Sequence, residues 1–265
     1  MRIVVCVKEV LDPSAINNYA LVGKLKMAAD GKTPEAAAVP RLINGYDEQA
    51  MEAALLLRDA GLDCRITAVS IGPDQKNLLK HCAALGADEI VAIDPVGAEV
   101  DWHGVAAILA AYIKGCGGAD LVICGRQASD DDQGVVPLLL AEHLGMAVAT
   151  LARKLEMVDG ELQVTRVTPD GDEVVKGKLP ALVTVSNELG TPRFPTAKAK
   201  MAARKMAPTE ITAASLGLDA AELAPRAQLL SQFVPQLHGN CEFIQGSPAD
   251  AARELLAKLR AERII

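Results

Sequence analysis

A chain of 265 residues, half of them hydrophobic but only 3% aromatic, with a formal net charge of −7, has room for one α/β domain of about 200–250 residues plus an appendage. Its apolar content is mostly Ala, Val, Leu and Ile, which suits buried parallel strands under Ala-rich helices and speaks against an all-β fold. The acidic balance excludes a general nucleic-acid binder, because neutralising phosphates takes clustered Lys and Arg and the one basic cluster, residues 198–205, is short.

No apolar run approaches the ~20 residues of a membrane helix, so no membrane insertion is expected. Met1 leads straight into an apolar run without a signal-peptide pattern, which predicts a cytoplasmic chain. Strand and helix patterns then alternate: residues 2–7 read as a strand, 47–61 as an amphipathic helix, 65–71 as a strand, 74–85 as a helix and 89–94 as a strand. A helix over 101–114 with Asp101 as N-cap, a strand over 119–124 and a glycine-terminated helix over 134–145 follow. Strands separated by helices of this length imply right-handed crossovers and a doubly wound, mostly parallel sheet.

After Gly145 the texture changes. Short runs at 148–157, 160–168 and 172–178 are joined by Asp159-Gly160 and Asp170-Gly171, which predicts an antiparallel extension of the parallel core. Residues 182–185 return to the sheet, 189–195 form a Gly- and Pro-broken loop, and 197–205 a basic helix. Residues 209–239, with Pro225, Pro235 and little periodicity, read as an extended arm, and 248–261 as a final amphipathic helix.

The six cysteines, Cys6, Cys64, Cys82, Cys116, Cys124 and Cys241, form no C-x-x-C pair and have no metal-ligand spacing, so they are expected to be buried structural thiols, with Cys6 and Cys124 at strand ends in reach of a ligand. His81, His103, His143 and His238 are dispersed and lack a neighbouring nucleophile motif. Chemistry concentrates instead where the strand ending at Cys124 runs through glycine and three carboxylates into a helix. In open parallel sheets, ligands bind beyond the carboxyl ends of strands, and the first amides of the following helix can receive phosphate oxygens. Gly125 would allow close backbone approach. Asp130, Asp131 and Asp132 would repel a phosphate, so they are expected to turn outward, cap the helix or accept backbone amides.

The order of five motifs carries a family resemblance. Val5-Cys6-Val7-Lys8-Glu9-Val10 with Asp12, Asn44-Gly45-Tyr46-Asp47-Glu48-Gln49-Ala50, Ser70-Ile71-Gly72-Pro73, Gly125-Arg126-Gln127-Ala128-Ser129-Asp130-Asp131-Asp132 and Leu179-Pro180-Ala181-Leu182-Val183-Thr184 resemble electron-transfer flavoprotein beta subunits over nearly the whole chain. The resemblance implies a heterodimer with an alpha subunit that carries a redox-active FAD, and a beta-subunit site that holds AMP as a structural ligand. Matching positions for that nucleotide are Cys6, the turn Asn44, Gly45, Tyr46 and Asp47, then Ile71, and the loop Cys124, Gly125, Arg126, Gln127, Ala128, Ser129, Asp130, Asp131, Asp132, Gln133, Gly134 and Val135. Asn44 and Asp47 have the polar atoms to bond a base or ribose.

The resemblance also implies a partner-recognition loop at 188–205, with Arg193, Phe194, Ala197, Lys198, Lys200, Arg204 and Lys205 facing an acyl-CoA dehydrogenase or similar donor, and a quinone oxidoreductase as acceptor. The chain thus divides into a nucleotide-binding unit, 1–206, and an arm and helix, 207–265, packed on the alpha subunit. Two positions depart from the family pattern: Pro137 contributes no amide hydrogen beside the phosphate, and Ala197 stands where an apolar anchor, commonly Leu, docks dehydrogenases. Two other readings stay open, an electron-bifurcating subunit that binds a second FAD and oxidises NADH, and a free-standing stress-type nucleotide-binding module.

Overall fold

The computed structural model describes residues 1–35, 39–97, 100–235 and 241–265, in two units, Met1–Gln232 and Phe233–Ile265. The first unit opens with β1 (Arg2–Cys6), β2 (Glu9–Leu11), α1 (Pro13–Leu21), β3 (Arg41–Ile43), α2 (Gly45–Asp59), β4 (Arg65–Ile71), α3 (Lys76–Leu85), β5 (Glu89–Asp94), α4 (Trp102–Gly115), β6 (Leu121–Gly125) and α5 (Val136–Leu144). It continues with β7 (Ala147–Val158), β8 (Glu161–Thr168), β9 (Gly171–Gly177), β10 (Ala181–Val185), α6 (Ala197–Ala203), β11 (Thr209–Thr212) and α7 (Ala220–Leu223). The second unit holds α8 (Pro248–Ala261), N-capped by Ser247, with Lys258 bridging Glu242 at 2.5 Å and Glu254 at 3.8 Å.

Nine strands form one sheet in the order β11-β5-β4-β1-β6-β10-β7-β8-β9. All neighbours pair in parallel up to β7, after which β8 and β9 add antiparallel. This is the doubly wound core with antiparallel extension that the alternating patterns predict. The central strands β6 and β10 are buried along their whole length, because helices cover both faces: Ile3, Val5, Ile66, Ile123 and Val183 pack with α2 and α3, while Val4, Val69, Val122 and Leu182 pack with α4 and α5. Alternate residues of each strand thus serve two separate cores, the reason these strands read as continuous apolar runs.

Several boundaries differ from the sequence reading, each for a local reason. α2 starts at Gly45, not Asp47, because Asn44 occupies the N-cap position while its side chain makes no capping bond and is drawn elsewhere. α5 is Val136–Leu144 and ends in the left-handed Gly145, as the glycine predicts. α6 stops at Ala203, where Lys205 and Met206 bond back three residues and tighten the last turn. Within the expected arm, Thr209–Thr212 pairs with β5 as an edge strand, so the first unit runs beyond residue 206 to Gln232. Gln232 itself is tied down, its N–H to Gly31 O and its Nε2 to Lys32 O, both at 2.8 Å.

The thiols divide differently from expectation: Cys82 and Cys124 are buried, Cys6 and Cys64 half-buried, and Cys116 and Cys241 exposed. The histidines are less dispersed than their spacing suggests, since His103 on α4 and His143 on α5 bring their rings to 6.0 Å. His238 lies outside the described residues.

Burial sets a contrast between core and extension. Leu182→Ala, at a fully buried centre of β10, is expected to lower unfolding free energy by about 2–5 kcal/mol. Val174→Ala on β9, 58% exposed, should change it by no more than about 0.5 kcal/mol. Urea unfolding of the two variants beside the parent chain measures both.

Candidate functional site

The strand order reverses at β1, which pairs with β4 on one side and β6 on the other. The connections after β1 and β6 diverge from there, leaving a crevice beyond the carboxyl ends of the strands, the place where open parallel sheets take ligands. A cleft of about 390 Å³ opens at that point. Cys6 and Cys124, register partners on adjacent strands, both line it. Hydrogen bonding of the protonated Cys124 thiol to Cys6, with burial, holds that thiol well above its ordinary range, so Cys124 adds no charge to the floor of the cleft.

Asp47 ties the three elements around the crevice together. Its carboxylate accepts the Lys8 N–H at 2.8 Å and the Gly125 N–H at 3.2 Å, so the first turn of α2 is bonded to the ends of β1 and β6. Burial pushes this carboxyl up to about 7, against the pull of the Asn44 side chain and of those two backbone donors. Gly125 is required by the same contact. A Cβ there would collide with Asp47 Oδ1 and lie 2.7 Å from Tyr46 Cβ and 2.8 Å from the Tyr46 carbonyl carbon. The close approach that glycine permits is thus to the start of α2.

Asn44, fully buried, does for the loop what Asp47 does for the strands. Its Nδ2 donates to Gln127 O at 2.8 Å and its Oδ1 accepts the Ser129 N–H at 3.2 Å. Both ends of the side chain are engaged in shaping the loop, which explains why α2 goes without a side-chain cap. The loop then turns at Gly134, in the left-handed region at φ +64°, where a Cβ would lie 2.9 Å from Arg126 O. No side chain caps the first turn of α5. That leaves its N-terminal amides to face the cleft, with Pro137 at the second helical position contributing none.

Two of the loop's three carboxylates, Asp130 and Asp131, share Lys8 Nζ, at 2.8 and 3.7 Å. Asp130 accepts Lys8 Nζ at 2.8 Å, Asp132 accepts Gln127 Nε2 at 2.7 Å, and Asp131 accepts the Gln133 N–H at 3.2 Å while lining the cleft. None caps α5. Of the residues expected around a nucleotide, Cys6, Asn44, Asp47, Ile71, Cys124, Gly125, Gln127, Ala128, Asp131, Gln133, Gly134 and Val135 line the cleft. Gly45, Tyr46, Arg126, Ser129, Asp130 and Asp132 stand behind it. Arg126 lies over the Tyr46 ring, 5.9 Å from its centroid. The lining also holds residues that sequence reasoning missed, among them Lys8, Val69 and a face of α4 with Trp102, Val105 and Leu109. The signal was there: the chain's single tryptophan sits directly after the N-cap Asp101.

A second group of expected residues surrounds the loop before α6, and α2 positions it too. Arg193 donates from its backbone N–H and Nε to Glu52 Oε2, at 3.1 and 2.8 Å, and from Nη2 to Glu52 Oε1 and Asp59 Oδ2, at 2.9 and 2.7 Å. Gln49 Nε2 donates to Gly190 O at 2.6 Å. The Glu52 hydrogen bonds hold the guanidinium above its ordinary value, and Arg193 faces inward onto α2. Phe194, by contrast, is 86% exposed, and Ala197, Lys198 and Lys200 on α6 and Arg204 and Lys205 just beyond its end are exposed. Thr196 caps that helix, and Lys80 Nζ donates to Arg204 O at 2.8 Å, fixing its far end to α3.

A family model described as "Electron transfer flavoprotein domain" matches residues 35–216. Subunit CarD of the caffeyl-CoA reductase-Etf complex of Acetobacterium woodii is 33% identical over the whole of both chains. The electron transfer flavoprotein subunit beta of Megasphaera elsdenii is 33% identical over 84% of this chain and 82% of its own, and that of Bacillus subtilis 32% identical over 83% and 86%. Among the described residues, no helix is long and apolar enough to cross a membrane.

Two predictions follow from the anchoring groups on α2. The folded chain holds the Asp47 proton more tightly than the unfolded chain, so the stability this group contributes is full below about pH 4 and is lost as pH rises to about 7. Between about pH 5 and about pH 8 the parent should therefore lose roughly 2–3 kcal/mol relative to Asp47→Asn, read as the difference in urea unfolding free energy. Glu52→Gln removes the charge that locks Arg193, and trypsin should then cut between Arg193 and Phe194 at least several-fold faster under native conditions. An unchanged cutting rate would mean that the clamp does not hold the loop.

Proposed function

The chain belongs to the electron transfer flavoprotein beta-subunit family, and from that premise we propose that it is the beta half of a heterodimer that relays electrons between a flavin dehydrogenase and a quinone oxidoreductase. The observation that carries the nucleotide part of this reading is the cleft at the strand reversal, which the uncapped start of α5 faces. Its residues fit a phosphate: the amides of Gly134, Val135 and Val136 are the donors, and Lys8, paired with Asp130 and Asp131, is the cation among the lining residues. A volume of about 390 Å³ lies near the small end for ligand sites, roughly 300–1,000 Å³, which supports AMP over a larger dinucleotide. AMP then acts as a structural ligand, bridging the loop to the strand ends that Asn44 and Asp47 already draw together.

Electron transfer is the work of an FAD held mainly by the alpha subunit. This chain's own residues bind, orient and present. The clamp of Arg193 on Glu52 and Asp59 fixes the approach to α6, so that Phe194 and the basic residues Lys198, Lys200, Arg204 and Lys205 are offered to an acyl-CoA dehydrogenase or similar donor without the cost of ordering a loose loop. Ala197 offers less apolar area at this face than a leucine, a deficit of about 1–3 kcal/mol at a docking anchor, and this shifts reliance onto Phe194. A quinone oxidoreductase is the proposed acceptor, and the cytoplasm the compartment.

A second reading, a bifurcating subunit with FAD in the cleft, draws support from the full-length similarity to CarD, an Etf subunit of a CoA-ester reductase complex. One experiment separates the two. Nucleotides released from the heterodimer, co-expressed and purified, are expected to be FAD and AMP in about equal amounts. Two FAD per heterodimer would overturn the AMP reading in favour of the second, and absence of any nucleotide beyond one FAD would remove the cleft from the proposal.

A further inference from the structure

The cleft has two walls of opposite character. On the loop side the lining is polar, with Lys8, Asn44, Asp47, Asp131 and Gln133. On the α4 side it is apolar beyond the N-cap Asp101, whose oxygens are taken up by backbone amides: Trp102, Val105 and Leu109 recur at helical spacing, and Val69 and Ile71 at the end of β4 complete the apolar lining. Trp102 is half-buried, so part of a large apolar ring is left facing a cavity in a chain with very few aromatic side chains. A rigid indole in that position gives contact area at little cost in conformational entropy.

The backbone under Trp102 is held in place. Asp101 Oδ1 accepts the N–H groups of His103 at 2.9 Å and Gly104 at 3.2 Å, and its Oδ2 accepts those of Arg226 at 2.5 Å and Ala227 at 2.9 Å. Burial opposes the charge, yet these four donors keep the Asp101 carboxyl below its usual range. Gly104 packs closely on α7, where a Cβ would lie 3.0 Å from Leu223 O. The first turn of α4 therefore cannot drift away from the cleft, and the ring at its start has a fixed base.

Resting on the reading that the cleft takes a nucleotide, we propose that Trp102 is the base-stacking residue of this site, with the phosphate on the amides that begin α5 and the nucleobase lying face-on against the indole over the apolar wall. Recognition is then of the ring face. The side chains Val105, Leu109, Val69 and Ile71 carry no donor or acceptor to read a base edge, so GMP should bind within a few-fold of AMP, while nucleotides without a large planar base should bind poorly.

The test uses the heterodimer, stripped of its nucleotides other than FAD, and two probes: AMP, and ribose 5-phosphate, which keeps the phosphate and lacks the base. Trp102→Ala is expected to weaken AMP binding roughly tenfold to a hundredfold, the range for loss of one base–aromatic stack, and to leave ribose 5-phosphate binding unchanged. Trp102→Phe should restore most of the AMP affinity. Equal AMP affinity in the parent and the Ala variant overturns the proposal, and so does equal weakening of both probes, which would mark Trp102 as a structural support. A parent heterodimer that binds neither probe overturns the nucleotide reading itself.

Discussion

The bond between the start of α2 and the end of β6 organises this molecule. The Asp47 carboxylate bridges backbone amides of β1's continuation and of Gly125, and the absence of a side chain at Gly125 lets helix and strand meet. A buried carboxylate is costly unless hydrogen-bonded, and here its backbone donors stand at the ends of the neighbouring strands β1 and β6, where their connections diverge. The group therefore works as a cross-tie at the switch point of the sheet, between neighbouring strands whose connections leave toward different faces.

From that tie the remaining geometry follows along a single helix. Asn44, one turn before, sets the shape of the phosphate-side loop through Gln127 and Ser129. Gln49 and Glu52, two and five residues further along α2, hold the segment before α6 through Gly190 and Arg193. The phosphate-side loop and the docking segment are bonded to this helix and its N-cap across 83 to 141 residues of sequence, yet both take their positions from it. The buried polar residues of α2, Asp47, Gln49 and Glu52, are thus explained as anchors, each in an otherwise apolar face.

How much of this was legible depended on whether the signal was local. The parallel strands announced themselves through Val- and Ile-rich runs between helices, and Gly145, Asp101 and the Asp159-Gly160 turn marked ends and corners where the structure has them. α1 was missed although Asp12 caps it and Pro13 begins it. β11 was missed for a different reason: four residues pairing with one side of β5 leave no periodicity to see. At the site, sequence order supplied the loop but not its chemistry. Asn44 and Asp47 look free to bind a ligand until their backbone partners, in distant segments, are known, and Arg193 looks like a docking cation until Glu52 is seen beside it. Contacts across 141 residues leave no local pattern.

The short strand β11 has a consequence beyond the fold's bookkeeping. After α6 the chain crosses from the middle of the sheet to lay Thr209–Thr212 along β5, which would otherwise be the outer strand on that side. A bare parallel edge with unpaired amides is a template for adding strands from other molecules. The segment that follows the docking helix therefore replaces the six-residue edge of β5 with a four-residue one, and so short an edge strand is a poor template for strand addition. Folding of the docking face and protection of the sheet edge are in this way completed by the same short stretch of chain.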